Sequence, residues 1–261
     1  MNEKEITFEP KDFKLEGGTL WSFPDRGDWA THERTAQYRG NWSPYIPRNL
    51  ILKYSKPGQI VLDCFSGSGT TAIEAKLLGR KCIAIDINES AGKLTIRNLA
   101  FQLPKEWRFY KPDVKVGDAR DLSFLSDNSV DLICSHPPYA NAIQYSKETK
   151  GDLSHLGVDD FLAEMSAVAK ENFRVLKDGR YCAVLIGDMR RDKRVVPLGF
   201  MLMRVYLRAG FVLKEIVIKA QHNCRATDEW REKSVKFNFL LLAHEYLPVF
   251  EKPLNPQKKG G

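Results

Sequence analysis

The most constraining feature of the sequence is the segment VLDCFSGSGTTAIEA, residues 61–75. It places an apolar strand, a glycine-rich turn and the start of a helix in one short run, which is how a βα unit begins. Gly67 and Gly69 let the backbone turn tightly and approach a ligand, and Thr70 and Thr71 fall in the first helical turn. The third glycine of a dinucleotide fingerprint and the GK[ST] of a phosphate loop are both missing. Glycine spacing alone therefore favours a plain tight turn over a ligand-binding loop.

From residue 60 onward, short apolar runs alternate with amphipathic stretches, which is typical of an α/β fold around a mostly parallel sheet. The predicted strands are Ile60–Cys64, Lys81–Asp86, Val114–Gly117, Val130–Ser135, Tyr181–Gly187, Phe211–Lys219 and Lys236–His244. The predicted helices are Thr70–Leu78, Glu89–Gln102, Val158–Val175 and Pro197–Ala209, with a further amphipathic run at residues 47–55. Lys177-Asp178-Gly179 is interpreted as a helix stop. An irregular basic segment separates the last two strands, so we expect the sheet to end in an antiparallel pair.

Three carboxylates follow three successive predicted strands. Asp63 ends the first strand, Asp86 ends the second and Asp118 follows the third. Because the carboxyl ends of parallel strands form the ligand crevice of an open α/β sheet, these side chains are expected to face one site. An acid at the end of the second strand is well placed to accept hydrogen bonds from ribose hydroxyls. Helix capping by each aspartate is the alternative, and three in register after a glycine loop favour the ligand.

The fourth predicted strand ends in the sequence Ser135-His136-Pro137-Pro138-Tyr139. With FSGSG and the two downstream acids, HPPY makes the chain resemble the S-adenosylmethionine-dependent methyltransferases that modify exocyclic amino groups of nucleic-acid bases. The resemblance covers about residues 17–245 and implies a Rossmann-like class I methyltransferase fold. That fold has a seven-stranded, mostly parallel sheet with an antiparallel terminal strand. NWSPYIP, residues 41–47, looks like the segment that contacts the methionine part of the cofactor.

The resemblance also assigns site residues. It implies catalytic roles for His136, Pro137, Pro138 and Tyr139. It implies S-adenosyl-L-methionine as the cofactor, bound by Asp63, Phe65, Gly67, Gly69, Thr70, Thr71, Asp86, Ile87, Asp118, Ala119, Asn41, Ser43 and Pro44. No cysteine or histidine spacing indicates a metal site, and none is expected.

The chemistry of an exocyclic amine accounts for such a motif. The nitrogen lone pair is delocalised into the base ring, so acceptors aimed at the two N–H bonds must draw it back in the transition state. Proline lacks an N–H but keeps its carbonyl, and the stiff Pro-Pro backbone can hold the Pro137 carbonyl toward the amine. Tyr139 is expected to stack on a base rotated out of the duplex.

His136 departs from the family pattern, in which Asp, Asn or Ser usually precedes the two prolines. A neutral imidazole nitrogen offers one acceptor in the same place, whereas a protonated imidazole offers none. We therefore expect activity to fall as the pH drops through the pKa of this histidine. In the alternative, His136 points away and only the proline carbonyl contacts the amine. The choice between cytosine and adenine stays open.

The charge balance and the length bear on the partner. Forty basic residues against 33 acidic ones give a net charge of +7, which suits a polyanion such as DNA. Because 261 residues leave no room for a separate recognition domain of ordinary size, base readout is expected from loops. The predicted nucleic-acid-binding residues are Arg190, Arg191, Lys193, Arg194, Arg225 and Trp230, with Lys219, Arg231, Lys233 and Lys236 as further basic candidates. A solvated basic surface is the alternative for any one of them.

The remaining expectations concern organisation and location. We divide the chain into an irregular N-terminal arm packed on the catalytic domain (1–48), the methyltransferase domain (49–252) and a flexible tail (253–261). The five cysteines, four of them in apolar runs, are typical of a reducing compartment. With no membrane-spanning run and no signal-like N-terminus, a cytoplasmic location and no membrane partner are expected.

The leading hypothesis is a site-specific DNA methyltransferase acting on N4 of cytosine or N6 of adenine in duplex DNA, with the target base flipped out. One alternative is an RNA amino-methyltransferase acting on tRNA or rRNA, and another is a non-catalytic S-adenosylmethionine-binding subunit. A nicotinamide-dependent oxidoreductase would leave the PPY motif unexplained. The oligomeric state is open, a homodimer being one option, and so is membership of a restriction-modification pair.

Overall fold

The computed structural model describes residues 7–35, 38, 40–142, 145–146, 149–222 and 227–254. Within these ranges the chain forms one eight-stranded sheet and one two-stranded hairpin. The strands of the large sheet are β1 (Leu20–Trp21), β2 (Ile60–Asp63), β3 (Lys81–Asp86), β4 (Asp113–Val116), β5 (Val130–Ser135), β6 (Leu176–Val184), β9 (Val212–Ala220) and β10 (His244–Glu251). The hairpin consists of β7 (Met189–Arg191) and β8 (Arg194–Val196).

The large sheet runs in the order β1-β9-β10-β6-β5-β2-β3-β4. Strand β10 lies antiparallel to both of its neighbours, pairing Tyr246 with Ile218 of β9 and Val249 with Ala183 of β6. The other pairs in this sheet are parallel. The predicted α/β class and mostly parallel sheet with an antiparallel strand are confirmed. That strand is inserted between two others instead of lying at an edge, and β1 adds a strand the sequence did not indicate.

Helices cover both faces of the sheet. The α-helices of the described part of the chain are α1 (His32–Thr35), α2 (Tyr45–Tyr54), α3 (Thr70–Leu77), α4 (Glu89–Asn98), α5 (Val158–Val175), α6 (Leu198–Arg208) and α7 (Thr227–Lys236). Successive residues of β2 point to opposite faces, so Leu62 joins the core cluster that α5 and α6 cover. Val61 joins the cluster that α2 covers. No helix in the described ranges is long and apolar enough to cross a membrane.

The last predicted strand is wrong. Lys236 ends α7, and the strand begins where the prediction ended it, at His244. The apolar run after residue 239 suggested a buried strand, but Leu240 is 85% exposed and lies in an irregular segment. In the observed strand, Leu247, Val249 and Phe250 are buried in the core. The basic segment before this run is therefore partly the helix α7.

Two other predicted boundaries move because of packing. Strand β6 starts at Leu176, so the predicted helix stop at residues 177–179 lies inside a strand. Helix α4 ends at Asn98 instead of Gln102. Beyond it, Phe101 and Leu103 turn inward and pack in one cluster with Trp29. That burial is worth more than another helical turn, because each large apolar side chain contributes about 1.5–3 kcal/mol.

The arm contacts the rest of the chain through buried polar groups. Glu74 of α3 accepts hydrogen bonds from Trp29 Nε1 (2.7 Å) and Arg48 Nη1 (2.9 Å) and pairs with His32 Nε2 (2.7 Å). These side chains are almost completely buried, and Thr31 adds a bond to the carbonyl of Asn98. A buried carboxylate needs such partners, so this segment is tied to α3 and α4.

Candidate active site

A cleft of about 800 Å³ opens at the carboxyl ends of β2, β3 and β5. This is the crevice where open α/β sheets bind ligands. The predicted site residues that line it are Asn41, Asp63, Phe65, Gly67, Asp86, Ile87, Asp118, Ala119, His136 and Pro138. Eight of the predicted cofactor residues and two residues of the HPPY motif therefore face one space, whereas Ser43, Pro44, Gly69, Thr70 and Thr71 lie outside its lining.

Asp86 shapes the glycine loop. Its carboxylate accepts the N–H of Gly67 (2.8 Å) on one oxygen and the N–H of Asn88 (2.9 Å) on the other. Each oxygen keeps further acceptor capacity, which suits it to ribose hydroxyls. Burial raises the pKa of Asp86 above its ordinary value. Gly69 has a φ of +89°, and a Cβ there would lie 2.8 Å from a Thr95 methyl, so glycine is needed for the turn.

Asp63 lies at the floor of the cleft and is 2% exposed. Its carboxylate accepts the Thr71 hydroxyl (2.5 Å) and the N–H of Phe65 (3.0 Å). Burial raises its pKa to about 7. A cationic ligand nearby would favour the ionised form, because an opposite charge compensates for lost hydration. Thr71 therefore acts on the cleft through Asp63 and is not part of the lining.

Asn41 ties the arm to the glycine loop. Its side chain donates to the Thr35 carbonyl (2.8 Å) and Ser68 Oγ (2.9 Å), and its oxygen accepts from the Thr70 hydroxyl (2.5 Å). Pro44 immediately precedes α2. These contacts hold the two predicted cofactor segments together at one edge of the cleft.

Two buried serine hydroxyls, one in the arm and one in the glycine loop, have free hydrogen-bonding capacity. Ser43 Oγ and Ser66 Oγ are buried without a hydrogen-bond partner among the described residues. Such atoms are costly unless a polar ligand satisfies them. Together with the carboxylates at three strand ends, they fit a cofactor with ribose hydroxyls and a charged amino-acid end.

Asp118 is held ionised by a neighbour that the sequence reasoning missed. Arg120 contacts its carboxylate at 2.5 Å and also contacts Glu164 at 2.5 Å. Burial would raise the pKa of Asp118, but the hydrogen bonds from Arg120 hold it below its ordinary value. The backbone of Gly151 crosses directly above, where a Cβ would lie 2.7 Å from the guanidinium. The position of Arg120, two residues after Asp118, is the sequence feature that could have indicated this contact.

The HPPY motif leaves the end of β5 with its first residue turned into the cleft. The ring of His136 stacks on Trp42, with centroids 5.7 Å apart and planes 23° from parallel. His136 Nε2 lies 2.9 Å from the Tyr139 hydroxyl, which donates to Glu245 Oε1 at 2.6 Å. Pro138 lines the cleft, whereas Pro137 is buried.

Burial lowers the pKa of His136 to about 4, although the Glu245 carboxylate opposes the shift. The imidazole is therefore neutral throughout the range from pH 5 to 8. The predicted loss of activity on protonation moves below pH 5 for this reason. A flat profile from pH 5 to 8 does not test the role of His136.

Glu245 and Lys219 form an ion pair that the sequence analysis did not anticipate. Lys219 Nζ donates to Glu245 Oε2 at 2.8 Å, with side chains only 14% and 10% exposed. The placement of Lys219 among surface basic residues was wrong. Because the last strand was predicted to end at His244, Glu245 fell outside it and carried no signal.

A second groove is lined in part by Asn141 and Ala142, which follow the HPPY motif in the chain. Three of the predicted nucleic-acid residues line it: Arg190, Arg191 and Trp230. Arg190 donates to the Leu240 carbonyl (2.8 Å), and its guanidinium lies 4.8 Å from the ring centroid of Phe239. Arg191 donates to Asn141 Oδ1 (2.7 Å), two residues beyond the motif. The groove thus joins basic and aromatic groups beside the motif.

The other predicted nucleic-acid residues lie outside the lining. Lys193 and Arg194 are exposed on the β7–β8 hairpin, and Arg225 lies outside the described residues. Asp188 accepts the N–H of Gly199 at 2.9 Å near the start of α6. Within the described ranges, no group of three or more His, Cys, Asp or Glu side chains could hold a metal ion.

Two tyrosines at the cleft were also missed. Tyr38 of the arm and Tyr145 beyond the motif stack with centroids 6.3 Å apart and planes 18° from parallel. A Cβ on Gly67 would contact Tyr38 at 3.0 Å, and one on Gly40 would overlap the Tyr145 hydroxyl at 1.9 Å. Nothing in the sequence indicated that these distant residues meet, because their contact depends on how both loops fold.

Family models match two overlapping parts of the chain. Residues 2–97 match the model described as DNA methylase, and residues 58–177 match the model described as RNA cap guanine-N2 methyltransferase. The type II methyltransferase M.SmaI of Serratia marcescens is 34% identical over 95 residues, covering 35% of this chain and 29% of that protein. The resemblance to the N4/N6 amino-methyltransferases is confirmed.

Relatives that act on different nucleic acids match similar lengths of this chain. The DNA adenine methyltransferase YhdJ of Escherichia coli is 34% identical over 127 residues, covering 48% of this chain and 42% of that protein. The tRNA (guanine(10)-N2)-dimethyltransferase of Methanothermobacter thermautotrophicus is 33% identical over 132 residues, covering 50% of this chain and 36% of that protein. The chain therefore spans less than half the length of these relatives.

Solved structures show the same fold. TrmN from Thermus thermophilus superposes with a TM-score of 0.56 at 22% identity, covering 84% of this chain and 52% of that one. A SAM-dependent methyltransferase from Methanosarcina mazei gives 0.55 at 18% identity, covering 78% and 97%. The fold is that of class I methyltransferases, and S-adenosylmethionine is the cofactor of the families that the chain matches.

Proposed function

We propose that this chain transfers a methyl group from S-adenosylmethionine to the exocyclic amine of cytosine (N4) or adenine (N6) at a specific DNA sequence. One observation carries the proposal. His136 and Pro138 of the HPPY motif line the same cleft as Asp63, Asp86 and Asp118. An acceptor-rich motif beside a site suited to this cofactor is the arrangement that amine methylation requires.

The residues of the chain supply orientation and electrostatics. Asp86 offers acceptors to ribose hydroxyls, and Asp63 lies at the cleft floor to face positive charge. When bound, S-adenosylmethionine supplies an electrophilic methyl group on a sulfonium. The neutral ring of His136 and the Pro137 carbonyl accept hydrogen bonds from the two N–H groups of the target amine. These hydrogen bonds increase the electron density on the amine nitrogen.

The basic groove is proposed to hold the nucleic acid. Arg190 and Arg191 provide positive charge, and Trp230, 49% exposed, provides a surface on which a base can stack. A duplex must release its target base for chemistry, and the groove lies beside the motif that would receive it. The stacking of Tyr139 on that base stays a prediction.

An RNA substrate is the second candidate, because one relative is a tRNA guanine-N2 dimethyltransferase that matches half of this chain. Guanine N2 is also an exocyclic amine, so the same acceptor chemistry would serve. The matches to type II DNA methyltransferases and the N-terminal match to the DNA methylase model support DNA as the first choice.

The test is incubation with methyl-deuterated cofactor and either plasmid DNA or total tRNA and rRNA, followed by nucleoside mass spectrometry. We expect labelled N4-methylcytosine or N6-methyladenine from DNA only. Labelled N2-methylguanosine from RNA alone would replace the DNA proposal with the second candidate. Cofactor binding with no labelled nucleoside from any substrate would favour the non-catalytic subunit.

A further inference from the structure

A line of hydrogen bonds runs from the sheet interior to the cleft. Lys219 of β9 donates to Glu245 of β10 at 2.8 Å, and Glu245 accepts the Tyr139 hydroxyl at 2.6 Å. The Tyr139 oxygen in turn lies 2.9 Å from His136 Nε2. Four side chains from three parts of the fold thus end at the ring that faces the cleft.

The donors and acceptors on these side chains determine the direction of every hydrogen bond in this line. An ammonium only donates and a carboxylate only accepts, so the single tyrosine hydrogen points to Glu245. The Tyr139 oxygen is then left as an acceptor toward His136, whose Nε2 must carry a hydrogen. Because burial keeps the pKa of this ring at about 4, the ring holds one proton at neutral pH and Nδ1 holds none.

We propose that Glu245, anchored by Lys219, acts through Tyr139 to fix His136 as the Nε2–H tautomer, so that Nδ1 is the acceptor for the target amine. The amine part of this statement rests on the proposed function. Nδ1 makes no hydrogen bond to the described residues, and the ring lines the cleft. Glu245, Lys219 and Tyr139 are positioning residues in this account.

Control of the tautomer is needed only because this motif contains a histidine. The Asp, Asn or Ser usual at this position presents an oxygen acceptor, whereas imidazole presents an acceptor or a donor according to its tautomer. The wrong tautomer would aim an N–H at the amine hydrogens and oppose the reaction. A hydrogen bond to the opposite ring nitrogen is how proteins choose between the two.

The local packing keeps the line in place. A Cβ on Gly187 would lie 2.8 Å from the Tyr139 ring and 3.4 Å from Glu245 Cγ, so the backbone of Gly187 walls in both side chains. Trp42 covers the His136 ring. Tyr139 therefore cannot rotate away from Glu245 without displacing its neighbours.

The experiment is nitrogen-15 NMR of the full chain labelled at histidine, with His136 assigned by loss of its signals in His136→Gln. The wild type is expected to show a protonated Nε2 and an unprotonated Nδ1 at pH 7.5. Tyr139→Phe should convert this to a mixture of tautomers and lower kcat at least tenfold, with the KM for the cofactor unchanged.

The chain offers a matched control. His244 Nε2 lies 3.0 Å from the Tyr246 hydroxyl, so Tyr246→Phe removes the same group from another histidine. That variant should change the signals of His244 and leave those of His136 as in the wild type.

A protonated Nδ1 on His136 in the wild type would overturn the proposal, as would an unchanged single tautomer in folded Tyr139→Phe. If Tyr139→Phe fails to fold, the wild-type spectrum and the spectrum of Glu245→Gln decide whether the proposal holds. The tautomer is measured without substrate, so a correct tautomer in a protein that methylates nothing would refute the proposed function alone.

Discussion

Two buried glutamates each organise a histidine in this molecule, with different consequences. Glu74 gathers His32, Trp29 and Arg48 in a cluster sealed from the cleft, and the second ring nitrogen of His32 is itself buried without a partner. Glu245 acts through a tyrosine on His136, whose ring lines the cleft. The Glu74 cluster therefore attaches the arm, whereas Glu245 helps to present a hydrogen-bond acceptor in the cleft.

The difference teaches that burial of a titratable group does not by itself mark a catalytic residue. Burial lowers the pKa of both histidines, so pKa direction does not separate them. The position of the ring does, because His136 lines the cleft and His32 does not. Changes at Glu74 should thus appear in stability, and changes at His136 in turnover.

The largest effect is expected for Glu74→Ala. Removing this carboxylate leaves Arg48 buried without its partner, so the free energy of unfolding should fall by about 3–5 kcal/mol. Urea unfolding followed by circular dichroism measures it. Glu89→Ala, which breaks the exposed pair with Lys93, is the control and should cost less than about 1 kcal/mol. Equal costs for the two variants would contradict the attachment role.

His136→Ala should lower kcat about 10²-fold, because one preorganised polar contact to the transition state is lost. Cofactor affinity should change little, since no hydrogen bond among the described residues joins the ring to Asp63 or Asp86. Steady-state kinetics and isothermal titration calorimetry measure these quantities. An unchanged kcat would mean that the ring takes no part in the reaction and the proline carbonyl acts alone.

The pH dependence of His136 has a defined sign. Its pKa in the folded chain, about 4, lies below the ordinary 6.5, so acid favours the unfolded chain, which binds the extra proton. Glu245, Lys219, Arg26 and Tyr139 are the charged and titratable groups around it. Turnover per folded molecule should stay constant from pH 8 to 5 and fall toward pH 4. A midpoint near 6.5 would contradict the buried environment.

Asp63→Asn should weaken cofactor binding about tenfold. This factor corresponds to the ~1.5 kcal/mol that a hydrogen bond to a charged group contributes. Burial raises the pKa of Asp63 to about 7, so its ionised fraction grows as the pH rises through 7. Wild-type affinity for the cationic cofactor should therefore tighten between pH 6 and 8. Calorimetry at several pH values should show no such increase in cofactor affinity for Asp63→Asn. If the affinity of the variant still increased between pH 6 and 8, Asp63 would be excluded as the source of the increase.

The smallest effect is expected in the basic groove. Arg190→Ala and Arg191→Ala should each weaken DNA binding for all sequences alike and reduce the salt slope of log K by about 1. Fluorescence anisotropy over a salt series measures the slope, with Arg208→Ala on α6 as the control. Slopes equal to that of the wild type would place the nucleic acid elsewhere.

The sequence predicted what depends on local pattern. The α/β class, the glycine turn and Val158–Val175 as a helix follow from periodicity and turn chemistry, and the structure has them. Asp63 and Asp86 fall in one cleft because parallel strands end at one edge.

The remainder depends on contacts between distant segments. Glu245 meets Tyr139 only because β10 is inserted beside β6, and nothing local to Glu245 indicates that. The misplaced last strand arose because Leu240 belongs to an apolar run yet is exposed. Helix α7 was missed in a charged segment whose Thr227-Asp228-Glu229 start could have indicated it.

Single-molecule sequencing of DNA from cells that express this chain tests the central claim most directly, because it reports both the modified base and its sequence context. The account predicts one short sequence motif carrying N4-methylcytosine or N6-methyladenine, with the modification absent when His136→Ala is expressed at the same level. DNA identical to that of cells without the chain would contradict it.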